Sequence, residues 1–61
     1  VPILNIYDYL GREVFVKIKG YFVKGQVISL PNGRYYNVKI GLKNGKVVSR
    51  HSIDDTIYEL N

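Results

Sequence analysis

The chain contains no cysteine, no methionine and no tryptophan. Without cysteine there is no disulfide framework and no thiolate zinc site. The single histidine, His51, has few carboxylates around it, so no metal site and no cofactor is expected. The missing methionine leads to the expectation of a processed chain, or of a domain excised from something larger. No apolar run approaches the roughly 20 residues that a membrane helix needs, so no membrane partner is expected. Val1 to Leu10 lacks a basic leading region and carries Asp8, which does not read as a signal peptide. The lack of cysteine fits an intracellular setting: cytoplasm, nucleoid or nucleus. Acidic residues are also few, five against nine lysines and arginines, for a net charge of +4. That balance favours an anionic partner, nucleic acid first, although basic residues also keep a small domain soluble.

What is present is apolar and aromatic. Of 61 residues, 46% are hydrophobic, with six tyrosines and two phenylalanines. A chain this short buries only about 60% of its unfolded surface, so stability must come from one compact core. The organising stretch runs from Arg34 to Ile53. Tyr36, Val38, Ile40 and Leu42 alternate with Tyr35, Asn37, Lys39 and Gly41, which predicts a strand with one apolar and one mostly polar face. Asn44-Gly45 can take the positive φ angles of a tight hairpin turn. Val47 to Ile53 then returns antiparallel.

Upstream, Val1 to Leu10 reads as an N-terminal arm or one helical turn packing over a barrel opening, or as a surface for a partner chain. Glu13 to Lys19 alternates as a first strand, Val14, Val16 and Ile18 against Phe15, Lys17 and Lys19, after the turn signal Gly11-Arg12. Gly20-Tyr21 predicts a turn. Phe22 to Leu30 is a second strand in which Gly25 marks a bulge or bend, and Pro31-Asn32-Gly33 is the next turn. Asp54-Asp55-Thr56 predicts a capped helical turn before a closing strand over Ile57 to Leu60. The expected architecture is all-β: an arm over residues 1–10, then a five-stranded SH3-like barrel over 11–61 with one short helical turn before its last strand.

The motifs Gly11-Arg12-Glu13-Val14-Phe15-Val16-Lys17, Gly20 to Val27, Tyr36-Asn37-Val38, Asn44-Gly45 and Arg50-His51-Ser52-Ile53 resemble the Tudor and chromo-barrel group. They are equally similar to the SH3-like C-terminal domain of retroviral and retrotransposon integrases. A shorter resemblance covers Leu30 to Arg34, Val38 to Leu42, Gly45-Lys46, Arg50-His51 and Asp54-Asp55. In order, these are similar to the C-terminal half of the small crenarchaeal chromatin proteins, also SH3-like barrels. That resemblance implies duplex DNA binding through a basic sheet face, with apolar side chains wedged into the minor groove. The chain departs from the family in its N-terminal half. The groove-facing tryptophan would fall near Val27 or Ile28, where there is none, and extra residues follow Arg34 and precede Arg50.

The candidate nucleic-acid-binding residues are Lys17, Lys19, Lys24, Arg34, Tyr35, Lys39, Lys46 and Arg50, with Tyr35, Lys39, Lys46 and Arg50 expected on one surface. Lysine and arginine track phosphates and an aromatic ring stacks on bases. An outer face carrying solvated charge is the plain alternative. Tyr21, Phe22, Tyr35 and Tyr36 invite comparison with a methyl-lysine cage, but the positions matching the Tudor cage are Ile18 and Val23. His51 has no context for a nucleophile: Ser49 shares its face, Ser52 does not, and no oxyanion loop accompanies them. A bulge near Val47-Val48 would change the face His51 joins. Asp54 and Asp55 fit turn capping better than metal binding. The expectation is a non-enzymatic module for duplex DNA with low sequence specificity. The alternative is a Tudor-like interaction or self-association module, with homodimerisation through residues 1–10 and Phe15, or an accessory domain of a larger DNA-processing protein.

Overall fold

The structure, a computed structural model, describes residues 2–3, 5–42 and 45–60. Five strands form one antiparallel sheet: β1 (Glu13–Ile18), β2 (Tyr21–Val27), β3 (Tyr35–Leu42), β4 (Gly45–Ser52) and β5 (Tyr58–Glu59). Their order is β4-β3-β2-β1-β5. The first four strands form a meander, and β5 returns to pair with β1 through Val14 opposite Glu59 and Phe15 opposite Tyr58. The all-β expectation with five strands therefore holds. The closed barrel does not, because no ladder joins β4 to β5 among the described residues and the sheet stays open.

The hairpins follow from turn chemistry. Ile18 pairs with Tyr21, so the first turn is Lys19-Gly20, one residue earlier than expected. Both residues have positive φ, 49° and 85°, as the primed two-residue turns require to match strand twist. Glycine takes this conformation freely, whereas for lysine it costs about 1 kcal/mol or more. In the long hairpin Leu42 pairs with Gly45. The expected Asn44-Gly45 turn therefore involves Lys43 and Asn44, which lie outside the described residues. The register runs unbroken from there to Tyr35 opposite Ser52, so the bulge considered at Val47-Val48 is not present.

Alternation fills one face of the sheet. Val14, Val16, Val27, Tyr36, Val38 and Ile40 are buried and are joined by Ile6 and Ile57. Each such aliphatic side chain contributes about 1.5–3 kcal/mol when fully buried. Gly25 belongs to this face. It is paired without a bulge to Val14 on one side and Ile40 on the other. A Cβ there would lie 2.5 Å from Val38 Cγ1 and 3.2 Å from the Lys39 carbonyl oxygen. Gly25 thus marks a close approach of side chains rather than an extra residue, and β2 ends at Val27, short of the expected Leu30.

Of the two helical turns considered, the one within Val1 to Leu10 is present and the one before the last strand is not. Asp54-Asp55-Thr56 forms no helix. Ser52 N–H donates to Asp55 Oδ2 and Asp54 N–H to Ser52 Oγ, each at 3.1 Å, so these side chains close a turn. The one helical element among the described residues is a 3₁₀ turn at Ile6–Tyr9. Asn5 caps it by accepting from Tyr7 N–H at 3.1 Å. Ile6 enters the core, and Ile3 N–H donates to the Ile57 carbonyl at 2.9 Å. The Tyr9 hydroxyl donates to Glu59 Oε2 at 2.5 Å. Ile3 and Tyr9 thereby tie the N-terminal segment to the β5 side of the sheet, and among the described residues the outer edge of β4 has no strand neighbour.

Candidate nucleic-acid interface

The ladders determine which charged residues share a surface. On the face opposite the core, Glu13, Gln26, Lys39 and Val48 stand directly across from one another on four successive strands. One row along, Lys46 lies opposite Gly41. Lys24, Lys39 and Lys46 line one shallow groove of about 380 Å³, with Glu13 and Gln26 also on its walls. Gly41, on the same row, is exposed, and a Cβ there would meet nothing within 4 Å. Gln26 is held by donating from Nε2 to the Gly11 carbonyl at 3.1 Å.

Further along the same face, Arg50 lies opposite Asn37. Its guanidinium sits over the Tyr35 ring, 4.5 Å from the centroid. Both residues line a second shallow depression with Ser29, Leu30 and Asn32. Tyr35 keeps its ring exposed, and the arginine remains free to meet an anion while its flat face rests on the ring. The four residues expected on one surface, Tyr35, Lys39, Lys46 and Arg50, are thus on one face of the β3–β4 hairpin, and Lys24 joins them from β2.

The remaining three candidates lie elsewhere. Arg34 is exposed and forms an ion pair with Asp54, so its charge has an acidic partner at the start of β3. Lys17 and Lys19 line a different groove, at the end of the β1–β2 hairpin, with His51, Asp55 and Tyr58.

Three residues on or beside the sheet face were not among the candidates read from the sequence. Val48, 60% exposed, projects between Lys46 and Arg50 on β4. Ile28 is exposed just past the end of β2, where its N–H donates to the Asn37 carbonyl at 3.0 Å. An apolar residue at the outward phase of a strand is visible in the alternation Lys46, Val48, Arg50. What the sequence does not reveal is that the backbone of Ile28 lies beside Asn37, the residue opposite Arg50. Glu13 is the third unanticipated member, the acidic wall of the lysine groove.

His51 is on the core face, opposite Tyr36, and only 7% exposed. Its Nε2 is 2.5 Å from Ser49 Oγ, the residue predicted to share its face. Burial pushes the imidazole below its ordinary value, partly opposed by the Asp55 carboxylate. The buried ring stacks obliquely on Tyr36, centroids 6.0 Å apart. Tyr36 and Tyr35 project from opposite faces of β3, Tyr36 being 2% exposed, so the four aromatic residues compared with a cage do not converge. Among the described residues no three His, Asp or Glu side chains come together as a metal site would need. No helix of the described residues is long and apolar enough to cross a membrane.

Comparison with protein-family models, curated proteins and solved structures finds no match to this chain.

Proposed function

We propose that this protein is a non-enzymatic DNA-binding domain of the SH3-like type. It holds duplex DNA with low sequence specificity through the outward face of β2, β3 and β4. The observation that carries this reading is the convergence of Lys24, Lys39 and Lys46 in one groove, with Arg50 over Tyr35 beside it. Four cations gathered on one face can meet a phosphate backbone at several points at once, which scattered solvating charge cannot. Phosphate contacts supply affinity and carry little sequence information. Val48 and Ile28, exposed on or beside this basic surface, are placed to press into a minor groove and unstack a base step. Such a domain works where DNA is, in the cytoplasm, nucleoid or nucleus, alone or as an accessory part of a larger DNA-processing protein.

The test is a salt titration of binding to a short duplex. Four phosphate contacts predict a slope of log K against log salt of about −3.6. No binding at low salt, or a slope near zero, would overturn the proposal.

A second reading is self-association through the N-terminal segment, favoured by the exposed Tyr7 and Leu10 on and beside the 3₁₀ turn. Sedimentation velocity separates the two. A concentration-independent monomer that binds duplex DNA excludes self-association, whereas a dimer dispersed by Tyr7→Ala supports it.

A further inference from the structure

The groove at the end of the β1–β2 hairpin is distinct from the basic sheet face. It encloses about 610 Å³, within the range of roughly 300–1,000 Å³ common to small-ligand sites. One wall is aromatic: Phe22 and Tyr58 meet edge to face, centroids 5.2 Å apart and planes at 74°. Phe22 is about half exposed, 48%, so a flat ligand can reach it. Lys17 and Lys19 stand on the rim, with the Lys17 ammonium 6.0 Å from the Phe22 centroid. The polar floor is His51 and Asp55.

Lys19 supplies a second, independent observation. It is the one non-glycine residue with positive φ among the described residues. Asparagine or glycine would hold the same turn with less strain. A side chain kept at a strained position beside a groove points to a use for that side chain.

The chemistry of the lining narrows the ligand. Two perpendicular aromatic rings near a carboxylate would suit a quaternary ammonium, but two lysine ammonium groups on the rim oppose a cation. A ring-bearing anion satisfies both walls. A duplex is too wide to enter a groove of this size. We propose that this groove binds an unpaired nucleotide, its base stacked on the exposed Phe22 ring with Tyr58 edge-on beside it and its phosphate between Lys17 and Lys19. The Asp55 carboxylate and the His51 ring are the groups in reach of the base edge. The groove shares no lining residue with the lysine groove of the sheet face, although Phe22 lies two residues before Lys24 on β2.

The experiment uses the whole chain and two fluorescent probes, a ten-nucleotide oligothymidylate and a short duplex, with unlabelled thymidine monophosphate as competitor. Lys19→Asn removes the charge and relaxes the turn, so its fold is at least as stable as the parent's. It should weaken the single strand about threefold and leave the duplex unchanged. Phe22→Leu should weaken the single strand about tenfold through lost stacking. Arg50→Ala should do the reverse, weakening the duplex alone. Binding of thymidine monophosphate by calorimetry, lost in Phe22→Leu, without binding of the oligonucleotide would assign the groove to a free nucleotide. Equal losses for both probes in Lys19→Asn, or no effect of Lys19→Asn and Phe22→Leu on either single-stranded ligand, would overturn the proposal. Failure of the duplex arm alone would count against the sheet face and not against this groove.

Discussion

Arg50 and Tyr35, two strands' worth of sequence apart, meet on the outward face of the β3–β4 hairpin with the guanidinium 4.5 Å above the ring centroid. The ring holds the arginine flat against the sheet and lowers the entropy lost when it meets a phosphate. Tyr35→Phe keeps the ring, so duplex affinity should change less than twofold. Tyr35→Ala should lower it about fivefold, in line with the ~0.5–1 kcal/mol of an exposed cation–π contact. Arg50→Ala should lower affinity about tenfold and reduce the magnitude of the salt slope by about 1. Fluorescence anisotropy across a salt series checks all three.

Glu13 lies in the wall of the groove formed by Lys24, Lys39 and Lys46, where its charge repels an incoming phosphate. Glu13→Gln should raise duplex affinity a few-fold at low salt, and the gain should shrink as salt screens it. An unchanged or weakened affinity at low salt would place the DNA off this groove.

Gly25 has no room for a methyl group, since its Cβ would lie 2.5 Å from Val38 Cγ1 and 3.1 Å from Ile40 Cγ1. Gly25→Ala should destabilise by about 1–3 kcal/mol through overpacking. Pairing it with Val38→Ala should recover less than the full loss, because Ile40 and the Lys39 carbonyl still crowd the site. Urea midpoints of the single and double variants measure this coupling.

His51 and Tyr36 predict how stability varies with pH. Burial holds the His51 imidazole below its ordinary 6.5, with Asp55 pulling the other way. The unfolded chain therefore takes up a proton first. The stabilisation is complete above about pH 6.5 and is lost as pH falls from there towards the lower folded value. Tyr36 is pushed up to about 12 from 10.0, by burial first and then by the Asp55 carboxylate. Here the unfolded chain releases its proton first, so stability falls as pH climbs from 10 towards 12. The Tyr36 hydroxyl has no hydrogen-bond partner among the described residues. Tyr36→Phe should therefore be neutral or stabilising at pH 7 and should reduce the alkaline loss, leaving the part due to Tyr9, whose hydroxyl is held above its ordinary value first by its bond to Glu59. His51→Asn should flatten the decline between pH 7 and 5. Urea unfolding followed across pH tests both, and an alkaline decline as large in Tyr36→Phe as in the parent would refute the assignment.

Local patterning determined much of this protein before any coordinates. Alternation identified β1, β3 and β4, put Tyr36, Val38 and Ile40 in the core, and put Tyr35 and Lys39 on the other face of β3, because side-chain direction in a strand follows from a period of two. The same rule could not say which phase β4 took after the turn. Only the ladder, with Leu42 opposite Gly45, aligned His51 with Tyr36 and buried it. The turn at Lys19-Gly20 escaped notice because lysine rarely adopts positive φ, and strand pairing imposed it. Gly25 looked like a bulge, since sequence cannot show the neighbouring strand β3 crowding that position. The helical turn at Ile6–Tyr9 drew its stability from Ile6 in the core and Tyr9 bonded to Glu59, contacts about fifty residues distant in the chain that no local signal encodes. Tertiary packing alone also divided the lysines, gathering Lys24, Lys39 and Lys46 on the sheet face and turning Lys17 and Lys19 to a separate groove.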